Sequence, residues 1–140
     1  MNAHLNLRDI RAGRVKDLSE ANLRGADLHK TNLSGANLTG ADLSGADLSG
    51  TDLREANLSG ADLRWSKLTG ADLFEADLHR ANLTWADLAG ADLTGVKLAG
   101  PELLKVNWFD HCILPARLLP WFTNHPRFAE WLPTLTVVEG

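Results

Sequence analysis

The chain is poor in the residues that carry most covalent and metal chemistry. It has one cysteine, Cys112, one methionine and no tyrosine in 140 residues. A single thiol excludes an internal disulfide framework and a cysteine-based zinc cluster, and it suits a reducing compartment. No apolar run approaches the roughly 20 residues of a membrane span. The start, MNAHLNLRDIRAGRVK, lacks the apolar core of a secretory signal. The expectation is a soluble, cytoplasmic protein without a membrane partner. Strong charge is missing too, and a net charge of −4 argues against direct nucleic-acid binding. Phosphate-binding glycine loops, the H-E-x-x-H pattern, a nucleophile elbow and paired cysteine ligands are all absent. His4, His29, His79, His111 and His125 are scattered and read as solvated or terminal. No enzyme, cofactor or metal site is expected. The length is that of one domain.

What is present is a repeat. Leucine stands at every fifth position from Leu18 to Leu103, eighteen in succession. Two residues before each is usually Ala, and between them Asp or Asn, broken at Lys67, Lys97 and Glu102. The consensus is A-(D/N)-L-x-x. Neither a helix nor a strand keeps a five-residue period on one face. Repetition at fixed period marks a solenoid, whose units bury their apolar sides only by stacking on their neighbours.

Each position has a physical task. Leu fills an interior, and Ala two residues earlier faces the same way. The run Leu-Ser-Gly-Ala reads as a type II turn with its third residue at positive φ, and ten of the twelve glycines take that slot. Asp and Asn side chains bond nearby backbone in turns. Each pentad is therefore a short flat side followed by a corner.

On these residues the chain resembles the pentapeptide-repeat family, over about three quarters of its length. The resemblance implies an all-β fold, a right-handed quadrilateral β-helix with four pentads per coil. Trp65 and Trp85 are twenty residues apart, as are Glu55 and Glu75, which fits that period. We divide the chain into an N-terminal cap or irregular first coil (1–15), a β-helix (16–120) and a C-terminal cap (121–140). The β-helix should have about five coils and be roughly 25 Å long. Its last coil is read with Trp108, Ile113 and Leu118 inward. An amphipathic helix over 103–119 is set aside, because apolar pairs keep the five-residue beat and Pro115 and Pro120 would damage a helix interior. Leu5, Ile10 and Val15 form either an irregular half-coil or a lid on the open end. After 120, a short helix capped by Thr123 or Asn124 should stop before Pro133, and 134–138 has strand character.

Three surfaces stand out. Trp65 and Trp85 replace Gly at one corner of consecutive coils, with Arg64 beside them and Lys105 further along the column. Stacked rings beside a cation are either a protein-binding patch or a ladder that covers its own corner. One side carries Asp52, Asp72, Asp92, Glu55 and Glu75 against Arg54 alone, a charge of −4 from five acids and one base. The resemblance implies a possible use, since some family members mimic duplex DNA and bind gyrase, protecting it from quinolones. The plain alternative is that the aspartates occupy the consensus slot. Their even spacing on a flat side does not converge on a metal. Last, the outward residues Leu104, Phe109, Leu114 and Leu119 make an apolar belt, which Trp121, Phe122, Phe128 and Trp131 of the tail should cover. A second copy could share that task, since the resemblance implies C-terminal pairing in some members. The expectation is a non-enzymatic scaffold or interaction protein with a protein partner, monomeric or paired through its C-terminal end. The alternatives are a DNA-mimic modulator of a type II topoisomerase and a solenoid without a specific partner.

Overall fold

The computed structural model describes residues 5–98, 106, 111–123 and 125–139, without the side chains of Phe122 and Phe128. Through the repeat, the Asp/Asn positions of successive coils pair in parallel at an offset of twenty residues, from Asp17↔Asn37 to Asp77↔Lys97. Twenty residues are four pentads, so each coil has four sides. We number them from Asp17 (side one), Asn22 (side two), Asp27 (side three) and Asn32 (side four). Every described leucine of the repeat, Leu18 to Leu98, is at most 5% exposed, and the alanine positions from Ala36 to Ala91 line the same core. Each fully buried leucine contributes about 1.5–3 kcal/mol.

The pentad Ala41–Gly45 shows why the consensus holds. The Ala41 N–H closes the turn onto the Leu38 carbonyl (3.0 Å), and Asp42 donates to Ala21 of the preceding coil (2.9 Å). Leu43 and Gly45 donate to Asp62 and Arg64 of the following coil, both at 2.8 Å. The fifth N–H, of Ser44, has no coil above or below to meet. It donates to Oδ1 of Asp42 at 3.0 Å, and the Ser44 hydroxyl joins it at 2.6 Å. All five donors are thus used, and the fifth depends on a short acceptor side chain before the leucine. The third turn residue has φ between 53° and 68° at every described corner of the repeat, which is the glycine-favouring left-handed region.

At the N-terminal end, α1 (Leu7–Arg11) is capped by Asn6, whose side chain accepts from the Arg8 N–H at 2.8 Å. Ile10 is fully buried, and Leu5, Leu7 and Val15 pack against the core. Of the two readings of this segment, the structure takes the lid. Arg11 reaches Asp27 of the first coil at 3.5 Å. Lys16 Nζ donates to the carbonyls of Asn32 and Ser34 (3.2 and 3.1 Å), which have no coil above them.

The C-terminal end departs from the expected register. Asp92 pairs with Ile113, twenty-one residues on, in β1 (Ile113–Pro115). One residue has been gained after Lys97, so Cys112 and Leu114 are fully buried and Ile113 takes the outward Asp/Asn position. The inward placement of Ile113 and the outward placement of Leu114 are corrected accordingly. The coil does not run to residue 120 either. Residues 116–118 form a 3-10 turn that leads into α2 (Leu119–Phe122), with Pro120 in its first turn. There a proline costs no hydrogen bond, which is why it does not bar a helix. Further on come α3 (Phe128–Trp131), a 3-10 turn over Leu132–Thr134 that includes Pro133, and β2 (Thr136–Val138). Thr123 therefore follows α2 instead of capping the next helix. β2 pairs with β1 in parallel, Ile113 against Thr136, and adds a rung to side four. Arg117 donates to the carbonyls of Val96 and Leu98, as Lys16 does to carbonyls at the other end. Trp131 is buried, with the His125 ring tilted against it (centroids 4.3 Å apart, planes at 36°) and the Arg127 guanidinium 5.4 Å over its ring. Trp121 stays 39% exposed and Leu119 is half-buried. Leu104, Phe109 and Trp108 lie outside the described residues, as do the side chains of Phe122 and Phe128. Among the described residues no helix is long and apolar enough to cross a membrane.

Candidate protein-binding corner

The corner after side two holds Gly25, Gly45, Trp65 and Trp85 on successive coils. Trp65 and Trp85 have φ of 62° and 61°, a conformation unfavourable for a bulky L-residue. Their rings stack at 5.5 Å between centroids and 8° between planes. They remain 63% and 51% exposed, so the stack covers one face of each ring and leaves the rest in water. On the Trp65 side the column is bare, since a Cβ built at Gly25 or Gly45 would meet nothing within 4 Å. Elsewhere larger side chains lie over neighbouring corners, as Glu20 does over Gly40 and Glu75 beside Gly95. The bare stretch forms a shallow hollow of about 310 Å³ lined by Arg24, Gly25, Ser44, Gly45 and Trp65.

Arg64 stands next to the pair in sequence, but its guanidinium is spent on its own pentad. Nε and Nη2 donate to the two carboxylate oxygens of Asp62 at 2.8 and 2.6 Å. That bond holds the Asp62 carboxyl below its ordinary range, against the raising effect of burial. Lys105 lies outside the described residues.

On side four the structure brings Asp52, Asp72 and Asp92 into one column, each bridged to the next. Each also serves its own corner, accepting from the N–H of Arg54, Phe74 and Thr94 at 3.1, 3.0 and 2.9 Å. Arg54 lies across the column, 2.6 Å from Asp52 and 3.7 Å from Asp72. Its hydrogen bond is the main reason the Asp52 carboxyl titrates below the ordinary range. Glu55 and Glu75 take left-handed corners at φ 58° and 56°. A hollow of about 440 Å³ on this side is lined by Ser34, Gly35, Arg54, Glu55 and Phe74. Sequence reasoning passed over Arg24, although the signal was there: its pentad has Asn22 where those of Arg54 and Arg64 have Asp.

A four-sided coil of five-residue units with Asx-braced corners defines a class. The family model for pentapeptide repeats matches in eight copies, over residues 17–54, 56–95 and 76–107. The chain belongs to this family, and its fold is the right-handed quadrilateral β-helix. Among solved structures it is similar to a pentapeptide repeat protein, Rfr23, from the cyanobacterium Cyanothece 51142. The two are 38% identical over 69% of this chain and 62% of that one, with a TM-score of 0.59. The chain thus spans somewhat under two thirds of that relative's length. It is also similar to a pentapeptide repeat protein of the Arabidopsis thaliana thylakoid lumen, 23% identical over 81% of this chain and 73% of that one, with a TM-score of 0.61. QnrB1, a plasmid-mediated fluoroquinolone resistance protein, is 24% identical over 71% of this chain and 68% of that one, with a TM-score of 0.37. No curated protein matches the chain.

Proposed function

We propose that this is a cytoplasmic, non-enzymatic scaffold: a rod of about five coils with a lid at one end and a short helical cap at the other. Its Trp65–Trp85 corner binds a protein partner. One observation carries the reading. Two large aromatic residues occupy strained left-handed sites, each more than half exposed, where glycine would fit without strain. Holding a bulky residue there costs about 1–2 kcal/mol, against which the stack returns about 0.5–1.5 kcal/mol beyond its area burial. Exposed tryptophan is the composition of binding hot spots.

The test is the double variant Trp65→Gly, Trp85→Gly. The melting temperature should hold or rise slightly, while capture of the partner in an affinity pull-down is lost. A large drop in melting temperature with capture intact would make the stack structural, and a solenoid without a partner would be the better description. The Asp52–Asp72–Asp92 column supports a second reading, a DNA-mimic modulator of a type II topoisomerase. Against it, Arg54 neutralises part of that column. A gyrase supercoiling assay with and without the protein separates the two.

A further inference from the structure

The arginines that directly follow a repeat leucine within the coils are Arg24, Arg54 and Arg64. Arg54 and Arg64 fold back onto the aspartate of their own pentad. Arg24 cannot, because its pentad offers the neutral Asn22, which accepts the Arg24 backbone N–H at 3.3 Å. Among the described residues no carboxylate pairs with the Arg24 guanidinium. Arg24 also lines two adjoining hollows. One runs over Gly25 and Gly45 to the open face of Trp65. The other, of about 230 Å³, is mainly apolar and lined beside Arg24 by Leu7, Asn22, Leu23 and Ala26. A groove therefore follows the side-two corner, with a bare indole face at one end and in its middle a positive charge that is felt by Asp62 but bonded to no carboxylate.

The occupant follows from charge and hydrogen bonding. An arginine without a partner asks for a carboxylate, and it repels a cationic group stacked on Trp65. Strand addition along this side lacks donors, because beyond the first coil each pentad spends its backbone N–H groups on the neighbouring coils and its own turn. A polyproline II segment needs none.

We propose that this groove binds an acidic, proline-rich segment of a partner polypeptide in the polyproline II conformation. Its carboxylate pairs with Arg24 and a proline three residues away stacks on the open face of Trp65. The proposal rests on the Trp corner being a binding surface and names what that surface takes.

The probe is an acetylated, amidated peptide, Ala-Asp-Pro-Pro-Pro-Ala-Pro, titrated into the full chain and followed by the Trp65 indole resonance and by calorimetry. Saturable binding is expected, with Arg24→Gln, or Asn for Asp in the peptide, weakening it on the order of tenfold, as loss of a charge-assisted hydrogen bond does. Gly45→Asn should block the groove without unfolding the rod, since Asn tolerates positive φ and the space beside Gly45 is open. Its melting temperature serves as the control. Binding that ignores Arg24→Gln and Gly45→Asn overturns the proposal, as does tighter binding of a peptide with Lys for Asp. So does no binding at millimolar peptide. If the peptide fails while Trp65→Gly, Trp85→Gly still abolishes partner capture, this proposal falls and the Trp corner stands. If that double variant leaves capture intact, the corner reading itself falls.

Discussion

Side four of the rod is built in two ways. From Asn32 to Asp92 its rungs follow each other at twenty residues, each a single bridged residue between corners. Beyond Asp92 the steps are twenty-one residues to Ile113 and twenty-three to Thr136, and the rungs are three-residue strands joined by helical turns. The hydrogen bonds do not register the change. Leu93 donates to Ile113 at 2.8 Å as Leu73 does to Asp92 at 2.9 Å, and Thr136 donates to Cys112 at 2.9 Å. The Cys112 thiol bonds the Leu88 carbonyl as the Thr51 hydroxyl bonds that of Leu28. The ladder needs parallel backbone and an inward apolar residue at each rung. The pentad is one economical way to supply them, and it is needed only where one coil must follow another without a loop.

The largest effects separate the two regions by what faces inward. In the regular coils, Leu63→Asp should abolish cooperative unfolding, because it places an unpaired charge in a closed core. Leu63→Ala should cost about 2–5 kcal/mol in denaturant titration. At the end, Leu114→Ala should cost a similar amount, and Ile113→Asn should be nearly neutral, since Ile113 holds the outward position. Had the register not slipped, those two results would be exchanged, so the pair of variants tests the gained residue directly.

The next effect concerns the edges. Arg117 covers the Val96 carbonyl, which has no further coil to meet, and the Leu98 carbonyl, whose turn donor would be Pro101, a residue without an N–H. Arg117→Ala should cost about 1–2 kcal/mol, discounted for its exposure from the usual value of a charged hydrogen bond. Amide exchange should accelerate first in the coil around Val96, while the coils around Leu43 stay protected. Equal acceleration along the rod would mean that Arg117 is not an edge device.

Acid sharpens the contrast, because the aspartates that brace corners belong to the regular coils. Asp17 and Asp47 titrate below the ordinary carboxyl range, chiefly through the hydroxyls of Ser19 and Ser49. A depressed folded value means stability that is fully present above about pH 3.9 and lost as pH falls through the folded value. Thermal stability should therefore drop below about pH 4. Asp47→Asn keeps the acceptor oxygen and should flatten that drop. An unchanged acid profile would locate the sensitivity elsewhere.

The regular coils were legible because each consensus residue answers one local demand: an inward leucine, a small alanine, an acceptor for the fifth N–H and a corner at positive φ. Nothing comparable announces an inserted residue. Between Leu98 and Cys112 the five-residue beat of apolar pairs persists in the sequence, yet Leu114 rather than Ile113 faces the core. Pattern favoured one register and the ladder took the other. The lid was undecidable for a related reason, since Ile10 is apolar in either reading and only packing chooses. The stacked Trp pair followed from the twenty-residue period. The fate of Arg64 did not, because an aspartate two residues earlier captured it. By the same rule Asn22 shows that Arg24 has no aspartate of its own pentad to fold onto.

The smallest effect tests the consensus from within. Lys67 breaks the Asp/Asn column of side three, standing between Asp47 and Asp87. Two terms oppose each other in Lys67→Asn. An asparagine there would accept the Thr69 N–H and hydroxyl, as Asn37 accepts those of Thr39 at 3.2 and 2.7 Å. One such hydrogen bond contributes about 0.5–1.5 kcal/mol. The same change removes a cation from a column that otherwise holds Asp27, Asp47 and Asp87, and the attraction of Lys67 helps hold the Asp47 carboxyl down. Exposed ion pairs contribute about 0–1 kcal/mol and are screened by salt, whose Debye length is about 3 Å at 1 M. The corner hydrogen bond is local and is not screened in this way. Lys67→Asn should thus be close to neutral at low ionic strength and stabilising by about 0.5–1 kcal/mol in 1 M salt. Denaturant titrations of both proteins at the two ionic strengths measure the difference. Destabilisation that persists in high salt would show that the corner gains nothing from its acceptor. The fifth N–H would then be as well served by water as by the consensus.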